Sequence, residues 1–436
     1  MTSSLRDDNG QTHSTSASVV VIGGGIVGVT AAIFLAEAGI PVVLCEKGRI
    51  GGEQSSRNWG WIRTQNRDLG ELPLMLESLR LWHRLKDEAG QDMGFRVGGS
   101  TYLGESDAGM ARHAAWLEKA KAFGIDTRLL SSAEVDNLLG QNSGRFKGGI
   151  HTPTDACAEP DKAMQALGDL ARRKGVQIRE GVAVRGIEKT AGRVSGVITE
   201  MGRIACQSVL LAGGVWSRPF LENMGMPFPQ LGVKGSVQAT TPGPEITASV
   251  VGAADASFRR RQDGGYTIAR SGAARMELIP AAFRYLRDFL PLIRNNWRII
   301  DLAAGRSFFG PLGSGRWGEG PSPMEKVRIL DPMPDHALLD DALRSAGELF
   351  PQLQGLKPAK RWAGMMDVMP DEVPVIDALP GCPGMILATG CSGHGFGLGP
   401  GVGYLASQLL RGEAPIVDAS AFRYARFPST QHTAKG

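Results

Sequence analysis

The sequence predicts an α/β fold, α+β overall, and three observations support this prediction. Apolar segments typical of buried parallel strands occur at 19–22, within 208–217 and at the start of 385–410, and each runs into a glycine-rich loop. Helical segments follow the first and last of these loops. Period-two patterning at 176–199 and several strand candidates within 229–310 add antiparallel sheet. With 436 residues, the chain suits two intertwined domains.

The first ordered stretch, 19–47, contains three glycines with the spacing G-x-G-x-x-G: Gly23, Gly25 and Gly28. Gly23 permits a tight turn out of the strand, Gly25 lets the backbone approach a pyrophosphate, and Gly28 allows close packing of helix and sheet. The predicted helix runs from Val27 to Ala38 and is closed by a glycine, and its N-terminus offers free N–H groups to phosphates.

A second predicted strand, 41–45, leads to Glu46, eighteen positions beyond Gly28. The Glu46 carboxylate can accept hydrogen bonds from a ribose 2′-OH and would repel a 2′-phosphate. Strand, glycine turn, helix, second strand and acid follow in the order that dinucleotide binding requires, so the sequence predicts a Rossmann-like domain. The motif by itself leaves FAD and NAD open.

Composition excludes several classes of protein. The net charge of +4 and the absence of a basic block beyond 259–261 give no indication of nucleic-acid binding. The five cysteines form no C-x-x-C pair, which favours free thiols in a reducing, cytoplasmic compartment, and the histidines show no metal-ligand spacing with them. Residues 1–16 lack the apolar core of a signal peptide, and we expect no transmembrane helix, although peripheral membrane contact stays open.

Further helices are predicted at 70–90, 108–124, 132–139, 159–175, near 279–295 and at 335–350. The segment 48–68 is dense in glycine, serine and asparagine and is predicted to be too irregular for a helix.

Three blocks of sequence together resemble the FAD-dependent amine oxidoreductases, a superfamily that includes D-amino-acid oxidase, glycine oxidase, sarcosine oxidase and the D-amino-acid dehydrogenases. The first block is the opening fingerprint, and the second is the SSRN loop at 55–58 with Arg63 shortly after. The third is RWAGMMDVMPDEVPVID followed by ILATGCSGHGFGLGPGVG. The resemblance extends from about Val19 to Arg411. Family members use the second glycine-rich loop, near the C-terminus, to close over the flavin ring, which favours FAD over NAD.

The resemblance implies a fold of the glutathione-reductase/D-amino-acid-oxidase type. A Rossmann-like FAD-binding domain would be assembled from 17–72, 148–225 and 362–415. A mixed-sheet substrate domain would comprise 73–147 and 226–361. Residues 1–16 would be a disordered tail and 416–436 a C-terminal tail.

The fingerprint and the resemblance together also predict the cofactor contacts. These are Gly23, Gly25, Ile26, Val27, Gly28, Glu46, Lys47, Ser55, Ser56, Arg57, Asn58, Trp59, Gly60, Val184, Ala212, Gly213, Trp216, Gly364, Gly393, His394, Gly395, Phe396 and Gly397.

Departures from the family pattern affect both cofactor and substrate. Covalent members attach the flavin to a cysteine where this chain has Gly364, and the loop 48–68 contains no histidine, so we expect non-covalent FAD. Two carboxylate anchors of the family, an arginine and a lysine, correspond here to Met366 and Gly397, and the proline after the first corresponds to Asp367. The missing anchors therefore favour a larger N-substituted substrate, such as an opine, over a simple D-amino acid.

Four residues are candidates for the chemistry. Arg63 matches an arginine that contacts the substrate carboxylate in the sarcosine oxidase branch; the alternative is an internal ion pair. Trp61, with Trp59, would form an aromatic wall beside the flavin or else pack between domains. Arg306 is a second carboxylate candidate by its chemistry alone. His394 lies in the flavin-closing loop, where a structural role is favoured over that of a catalytic base.

The resemblance implies oxidation of the C–N bond of an amine or N-substituted amino acid, such as sarcosine, a D-amino acid or an opine-like compound. Hydride would pass to flavin N5, and the imine would then hydrolyse. Electrons would continue to oxygen or to a quinone or other electron-transfer partner. A NAD-dependent dehydrogenase and a flavin-binding subunit of a larger dehydrogenase remain as alternatives.

Overall fold

A computed structural model of the protein describes residues 4–6, 12–296, 300–313, 316–318 and 320–431. At the N-terminus, β1 (Ser4–Arg6) pairs antiparallel with β2 (Thr12–Ser14). This strand pair lies within the segment 1–16 that the sequence predicted to be a disordered tail.

A six-stranded sheet is the framework of the N-terminal fingerprint. In spatial order its strands are β11 (Gln177–Glu180), β4 (Val42–Glu46), β3 (Val19–Ile22), β15 (Ser208–Leu211), β24 (Met385–Thr389) and β23 (Val375–Ala378). The first five are parallel to one another, and β23 is antiparallel to β24. The carboxyl ends of the parallel strands therefore meet at one edge, where open α/β sheets bind their ligands.

Helices cover this sheet. They are α1 (Ile26–Glu37), α2 (Gln54–Arg57), α3 (Leu72–Ala89), α6 (Pro160–Arg173) and α12 (Gly395–Arg411). The first ten residues of α1 are all buried, because the helix packs against α12 and α6 as well as the sheet. The expectation that 48–68 contains no helix was wrong at one place: α2 forms a single turn there, too short to show helical periodicity.

A ten-stranded mixed sheet occupies most of the remaining chain. Its strands are β7 (Ser100–Gly104), β8 (Arg128–Ser131), β9 (Gly148–Thr152), β16 (Leu231–Thr240), β17 (Val250–Gly252), β18 (Ser257–Arg260), β19 (Tyr266–Ala269), β20 (Ala274–Glu277), β21 (Ile300–Ala303) and β22 (Pro358–Val368). The long antiparallel pair β16–β22 connects this sheet to the C-terminal block, since β22 carries the RWAGMMDV sequence.

Two three-stranded sheets complete the strands that the structure describes. One contains β5 (Trp61–Ile62), β6 (Arg96–Val97) and β10 (Ala156–Cys157). The other contains β12 (Val184–Thr190), β13 (Arg193–Thr199) and β14 (Gly202–Ala205). The patterned segment 176–199 is thus divided, because β11 joins the parallel sheet and β12 begins an antiparallel one.

The remaining helices are α4 (Asp107–Ala120), α5 (Ser132–Leu138), α7 (Ser217–Asn223), α8 (Pro280–Arg284), α9 (Leu286–Asn296), α10 (Pro323–Lys326) and α11 (His336–Leu349). The predicted start of α5 is confirmed, because Ser131 caps it in a capping box with Glu134. The single helix expected near 279–295 is divided into α8 and α9. Among the described residues, none of the helices is both long enough and apolar enough to cross a membrane.

The segment 416–431, predicted as part of a tail, packs against the parallel sheet instead. It contains three short 3-10 helices, and the rings of Phe422 and Tyr424 within them are fully buried. The backbone N–H of Tyr424 donates to Asp377 at the end of β23. Burial of these apolar side chains explains why the segment is ordered. Its helices are too short to show a hydrophobic periodicity, so the sequence pattern did not predict this order.

Candidate active site

A cleft holding about 1150 Å³ of space opens at the edge of the parallel sheet. It is lined by the turns that follow β3, β4, β15 and β24, by part of the loop 51–58, and by the start of α12. The sequence folds this way because each of these strands is apolar and either ends in a polar residue or is followed within two positions by glycine, so the chain leaves the sheet at the same edge.

The turn after β3 requires glycine at two positions. Gly23 has a φ of +110°, and a Cβ there would lie 2.3 Å from the backbone oxygen of Ala212. A Cβ on Gly28 would lie 2.0 Å from the oxygen of Gly23 itself. The roles predicted for these two glycines, a tight turn and close packing of the helix, are confirmed by this geometry.

Glu46 closes the far side of this turn. One carboxylate oxygen accepts a hydrogen bond from the N–H of Gly24, and the other accepts from the N–H of Gly48, both at 2.7 Å. Burial raises the pKa of Glu46, while the two backbone donors oppose that rise. A carboxylate has about four acceptor positions, so Glu46 retains capacity to accept hydroxyl donors from a ligand.

Lys47 and Trp216 lie at the cleft wall around a third residue, Glu53. The Lys47 ammonium is 2.5 Å from a Glu53 oxygen and 4.5 Å from the centre of the Trp216 ring. The Trp216 Nε1–H donates to the same carboxylate at 3.0 Å. Glu53 therefore holds both Lys47 and Trp216 in place, and no pattern in the sequence pointed to Glu53.

The loop that follows supports the start of α1. The Ser55 hydroxyl accepts a hydrogen bond from the N–H of Ile26 at 2.9 Å, and a Cβ on Gly25 would lie 3.2 Å from the same oxygen. Asn58 stabilises the loop by donating to the Ser55 carbonyl at 2.8 Å and accepting from the N–H of Gly60 at 2.7 Å.

The C-terminal glycine loop enters the cleft between β24 and α12. Asp367, on β22, is half-buried below it and accepts a hydrogen bond from the N–H of Gly390 at 2.7 Å. Burial raises the pKa of Asp367, and the backbone donors oppose that rise. Asp367, which the sequence analysis noted only as a departure from a proline, therefore anchors the turn that presents Gly393, Gly395 and Phe396 to the cleft.

Most of the predicted cofactor contacts line this cleft. They are Gly23, Gly25, Ile26, Val27, Glu46, Lys47, Ser55, Asn58, Val184, Ala212, Gly213, Trp216, Gly393, Gly395 and Phe396. The cleft wall does not include Gly28, Ser56, Arg57, Trp59, Gly60, Gly364, His394 or Gly397.

Several of the excluded residues are turned away by specific contacts. The Ser56 hydroxyl donates to the carbonyl of Gly51, and Arg57 pairs with Asp331 and donates to the carbonyl of Ala363 at 3.1 Å. The Gly397 carbonyl accepts from Ser78 and Trp82 of α3. A Cβ on Gly364 would lie 2.0 Å from Gln54 Oε1, so this position faces the α2 turn.

A buried ion pair holds the segment 59–61. Arg259 donates to both carboxylate oxygens of Glu159, at 2.8 and 2.9 Å, and its Nε–H donates to the carbonyl of Trp59. A Cβ on Gly60 would lie 2.3 Å from the Ala158 oxygen and 2.7 Å from Arg259 Nε. Gly60 and Trp59 thus form part of a support rather than of the cleft wall.

The structure brings two of the four catalytic candidates, Trp61 and Arg63, to the continuation of that loop. The ring of Trp61 packs edge-on against Trp59 and Tyr102, with centroids 5.4 and 5.9 Å apart. The Arg63 guanidinium lies 5.2 Å from the centre of the Tyr102 ring, and its Nη1 donates to the carbonyl of Gln65. Gly397 approaches this loop at the Trp61 carbonyl.

His394 and Arg306 occupy different settings. Nδ1 of His394 lies 3.2 Å from the Glu71 carboxylate, just before α12 begins. The backbone of Arg306 begins a 3-10 helix, and its side chain lies outside the part of the chain that the structure describes.

Sequence reasoning missed several residues of the cleft. Glu53, Gln54, Met365, Asp367, Thr389 and Cys391 line it without having been predicted as contacts. Asp367 and Cys391 lie within the third sequence block, RWAGMMDVMPDEVPVID and ILATGCSGHGFGLGPGVG, so their position in that block could have indicated that they lie near the cofactor. Glu53 and Gln54 had none beyond their position in the glycine-rich loop.

The residues present fit a flavin dinucleotide. The first turn of the twelve-residue helix α1 faces the cleft. The N–H of Ile26 donates to Ser55, the N–H groups that follow point towards the cleft, and Gly25 keeps the backbone there uncovered.

Comparison with known proteins agrees with this geometry. Glycine oxidase from Pseudomonas aeruginosa is 26% identical over 427 residues, covering 93% of this chain and 98% of the relative. Mitochondrial dimethylglycine dehydrogenase from Mus musculus is 23% identical, covering 96% of this chain and 45% of the relative. The structure of L-amino acid deaminase from Proteus myxofaciens in complex with anthranilate matches with a TM-score of 0.90 and 28% identity, covering 94% of each chain.

The model of one protein family, described as FAD dependent oxidoreductase, matches residues 18–409. The choice between FAD and NAD that the fingerprint leaves open is therefore decided for FAD, and the NAD-dependent alternative is dropped. The chain belongs to the FAD dependent oxidoreductase family.

Proposed function

We propose that this FAD-dependent enzyme oxidises the C–N bond of an amino acid or N-substituted amino acid. The observation that carries the proposal is the position of the loop 58–63, which leaves the cofactor cleft at Asn58 and continues into Trp59, Trp61 and Arg63. This course of the loop supports an aromatic surface and a cation near the bound cofactor. Glycine oxidase and L-amino acid deaminase, which resemble this chain over nearly its full length, support an amino-acid substrate.

FAD, when bound, supplies the acceptor for the hydride that leaves the carbon bearing nitrogen. The chain's own contribution begins with the protonation state of the substrate. Its nitrogen must be neutral, because the lone pair stabilises the carbon as hydride leaves. The positive charge of Arg63, together with the exclusion of water by the rings of Trp61 and Tyr102, disfavours an ammonium ion there and so lowers the pKa of the bound amine. A side-chain base is not required, and the imine product hydrolyses in water.

Arg63 is the proposed anchor for the substrate carboxylate. Its Nη2 and Nε carry no hydrogen bond to the part of the chain that the structure describes, whereas Nη1 is fixed by the Gln65 carbonyl. A guanidinium held in this way presents a fork that matches a carboxylate. The positions where relatives carry an anchoring arginine or lysine are Met366 and Gly397, so the cation must come from another part of the chain.

The acceptor of the electrons is proposed to be oxygen or a quinone or other electron-transfer partner. The five cysteines are buried free thiols, which supports a reducing, cytoplasmic compartment. A second candidate, a flavin-binding subunit that needs a partner for turnover, is distinguished by the experiment below.

The test is anaerobic mixing of the purified, FAD-loaded protein with glycine, sarcosine, L- and D-amino acids and opines, following flavin absorbance. We expect bleaching by compounds that contain an α-carboxylate, and none by matched amines that lack it. Readmitted air then shows whether oxygen restores the colour. A flavin-loaded protein that no compound of the panel bleaches would contradict the proposal and favour the subunit alternative.

A further inference from the structure

The helices α8 and α9 bury one side and expose large apolar side chains on the other. Tyr285 and Phe289 on the inner side are 1% exposed. On the outer side Phe283, Leu286 and Leu290 are 61%, 46% and 52% exposed. Their spacing of three and four residues places them in one stripe along the helices. An apolar stripe of this kind on a protein surface marks an interaction site more often than chance exposure.

The same outer surface is positively charged. Arg284, Arg287 and Arg294 are exposed on it. The single acidic residue between 280 and 296, Asp288, is buried and accepts a hydrogen bond from the N–H of Ser429. Arginines therefore alternate with apolar residues along the stripe. Arg284 pairs with Glu222 of α7 at 2.9 Å, whereas Arg287 and Arg294 have no ion pair with the part of the chain that the structure describes and carry the charge of the surface.

A pair of phenylalanines extends this surface. Phe308 and Phe309 belong to the 3-10 helix Arg306–Phe309, and Phe309 is 89% exposed. A Cβ on Gly313 would lie 2.6 Å from the Phe308 oxygen and 3.3 Å from Pro280 Cδ, so this short helix lies beside the start of α8. We call the stripe, its three arginines and these two phenylalanines the arginine–aromatic face.

We propose that the arginine–aromatic face binds the surface of an anionic phospholipid bilayer. Protruding phenylalanine and leucine side chains enter the boundary between headgroups and acyl chains, while arginines contact lipid phosphates and keep their stems in the apolar layer. The mixture of protruding apolar side chains and interspersed arginines matches the surface of such a bilayer, where apolar acyl chains lie beneath negatively charged headgroups. The protein would lie on the membrane rather than span it.

A second copy of the chain is a poorer occupant. A two-fold symmetric contact would place the arginine–aromatic face against itself, with three arginines opposite three arginines. Because like charges brought together from water repel, that contact needs a counter-charge for every arginine, and the one present, Glu222, is already paired with Arg284. Self-association through this face is therefore an outcome that would count against the proposal.

The experiment is sedimentation of the FAD-loaded protein with vesicles. Vesicles of phosphatidylcholine alone are compared with vesicles containing phosphatidylglycerol, at low salt and at about 0.5 M salt, where charges are screened within a few ångströms. We expect binding to the phosphatidylglycerol vesicles, weakened by salt, and at least tenfold weaker binding to phosphatidylcholine.

Two double variants separate the apolar and charged contributions. Leu290→Ser with Phe309→Ser, and Arg287→Glu with Arg294→Glu, should each reduce vesicle binding at least tenfold. The matched control, Met201→Ser with Arg344→Glu, changes an exposed methionine and an exposed arginine elsewhere and should bind like the unchanged protein. Retained FAD absorbance and unchanged bleaching by substrate show that each variant is folded.

Three results would overturn the proposal. They are an unchanged protein that stays in the supernatant with every vesicle, face variants that sediment as well as the control, and a dimer in light scattering that only the face variants abolish. None of these depends on which amine the enzyme oxidises, so failure here is distinguishable from failure of the proposed function.

Discussion

Nδ1 of His394 lies 3.2 Å from the carboxylate of Glu71, where the beginning of α3 meets the beginning of α12. Glu71 is completely buried, and its other oxygen lies 3.7 Å from Nη1 of buried Arg67. Burial acts to raise the pKa of Glu71, but His394 and the nearby arginines outweigh it and hold that pKa below its usual value. An ionised carboxylate is thus shared between a guanidinium and an imidazole beneath the flavin-closing loop.

Glu71→Gln is expected to destabilise the protein by about 3–5 kcal/mol, because it leaves the buried Arg67 cation without its charge partner. Urea unfolding measures the effect. The control is Glu77→Gln on the same helix, where the pair with Arg80 is exposed and is expected to contribute about 1 kcal/mol or less. Equal unfolding free energies for the two variants would show that the buried cluster does not stabilise the fold.

His394 gives a pH dependence of known sign. Burial and the nearby Arg67 charge lower the pKa of His394 in the folded protein. The unfolded chain therefore binds the proton more readily, so this contribution to stability is present above about pH 6.5 and is lost as the pH falls. His394→Asn should flatten the decline in unfolding free energy below about pH 6.5, whereas His83→Asn, at an exposed position, should not. An unchanged slope in the His394 variant would contradict this.

The features that the sequence predicted well are those that local sterics determine. The left-handed φ of Gly23, the packing of Gly28 against the Gly23 carbonyl and the start of α5 after Ser131 each depend on residues close in sequence, whereas the approach of Ala212 to Gly23 does not. The pair of Glu159 with Arg259 joins residues 100 positions apart, and Asp367 acquires its role only when β22 passes under the C-terminal loop. Such long-range contacts leave no periodic pattern in the sequence.

Ser56 and Arg57 were predicted to contact the cofactor, but the short α2 turn directs their side chains to other partners.

Glu46→Gln is expected to weaken FAD binding about tenfold or more. In the unchanged protein one carboxylate oxygen accepts the N–H of Gly24 and the other accepts the N–H of Gly48. In the variant the amide –NH₂ would replace one of these oxygens, so one backbone donor would face another donor. Titration of the apoprotein with FAD, followed by flavin fluorescence, measures the change. The control is Glu180→Gln on the neighbouring strand β11, whose carboxylate accepts the N–H of Ile50 outside the cleft. Similar FAD affinities for both variants would argue against a role of Glu46 at the cofactor.

Arg63→Met is expected to lower kcat/KM for carboxylate-containing substrates by about 100-fold, the order of effect of losing one charge-assisted contact. Arg63→Lys should restore part of the loss, since it keeps the charge without the fork. FAD affinity should stay unchanged in both variants. The sharpest control is the substrate itself: the ratio of activity on an amino acid to activity on its decarboxylated amine should fall towards one. A variant that lowers both activities equally would indicate a structural role for Arg63.

The flavin should be released completely when the protein is precipitated with acid, because the described residues that line the cleft include no activated nucleophile to attach it. Position 364 is glycine, and the two cysteines that line the cleft are Cys45 and Cys391. Burial raises the pKa of Cys45 to about 12 and that of Cys391 well above its usual value, so both remain thiols rather than thiolates. Absorbance of the supernatant measures the released FAD, and Cys391→Ser should release the same fraction as the unchanged protein. The contrary result would be yellow colour that stays with the pellet of the unchanged protein but is released from the Cys391→Ser variant. That result would show that the flavin is covalently linked to Cys391, which the raised pKa of this thiol argues against.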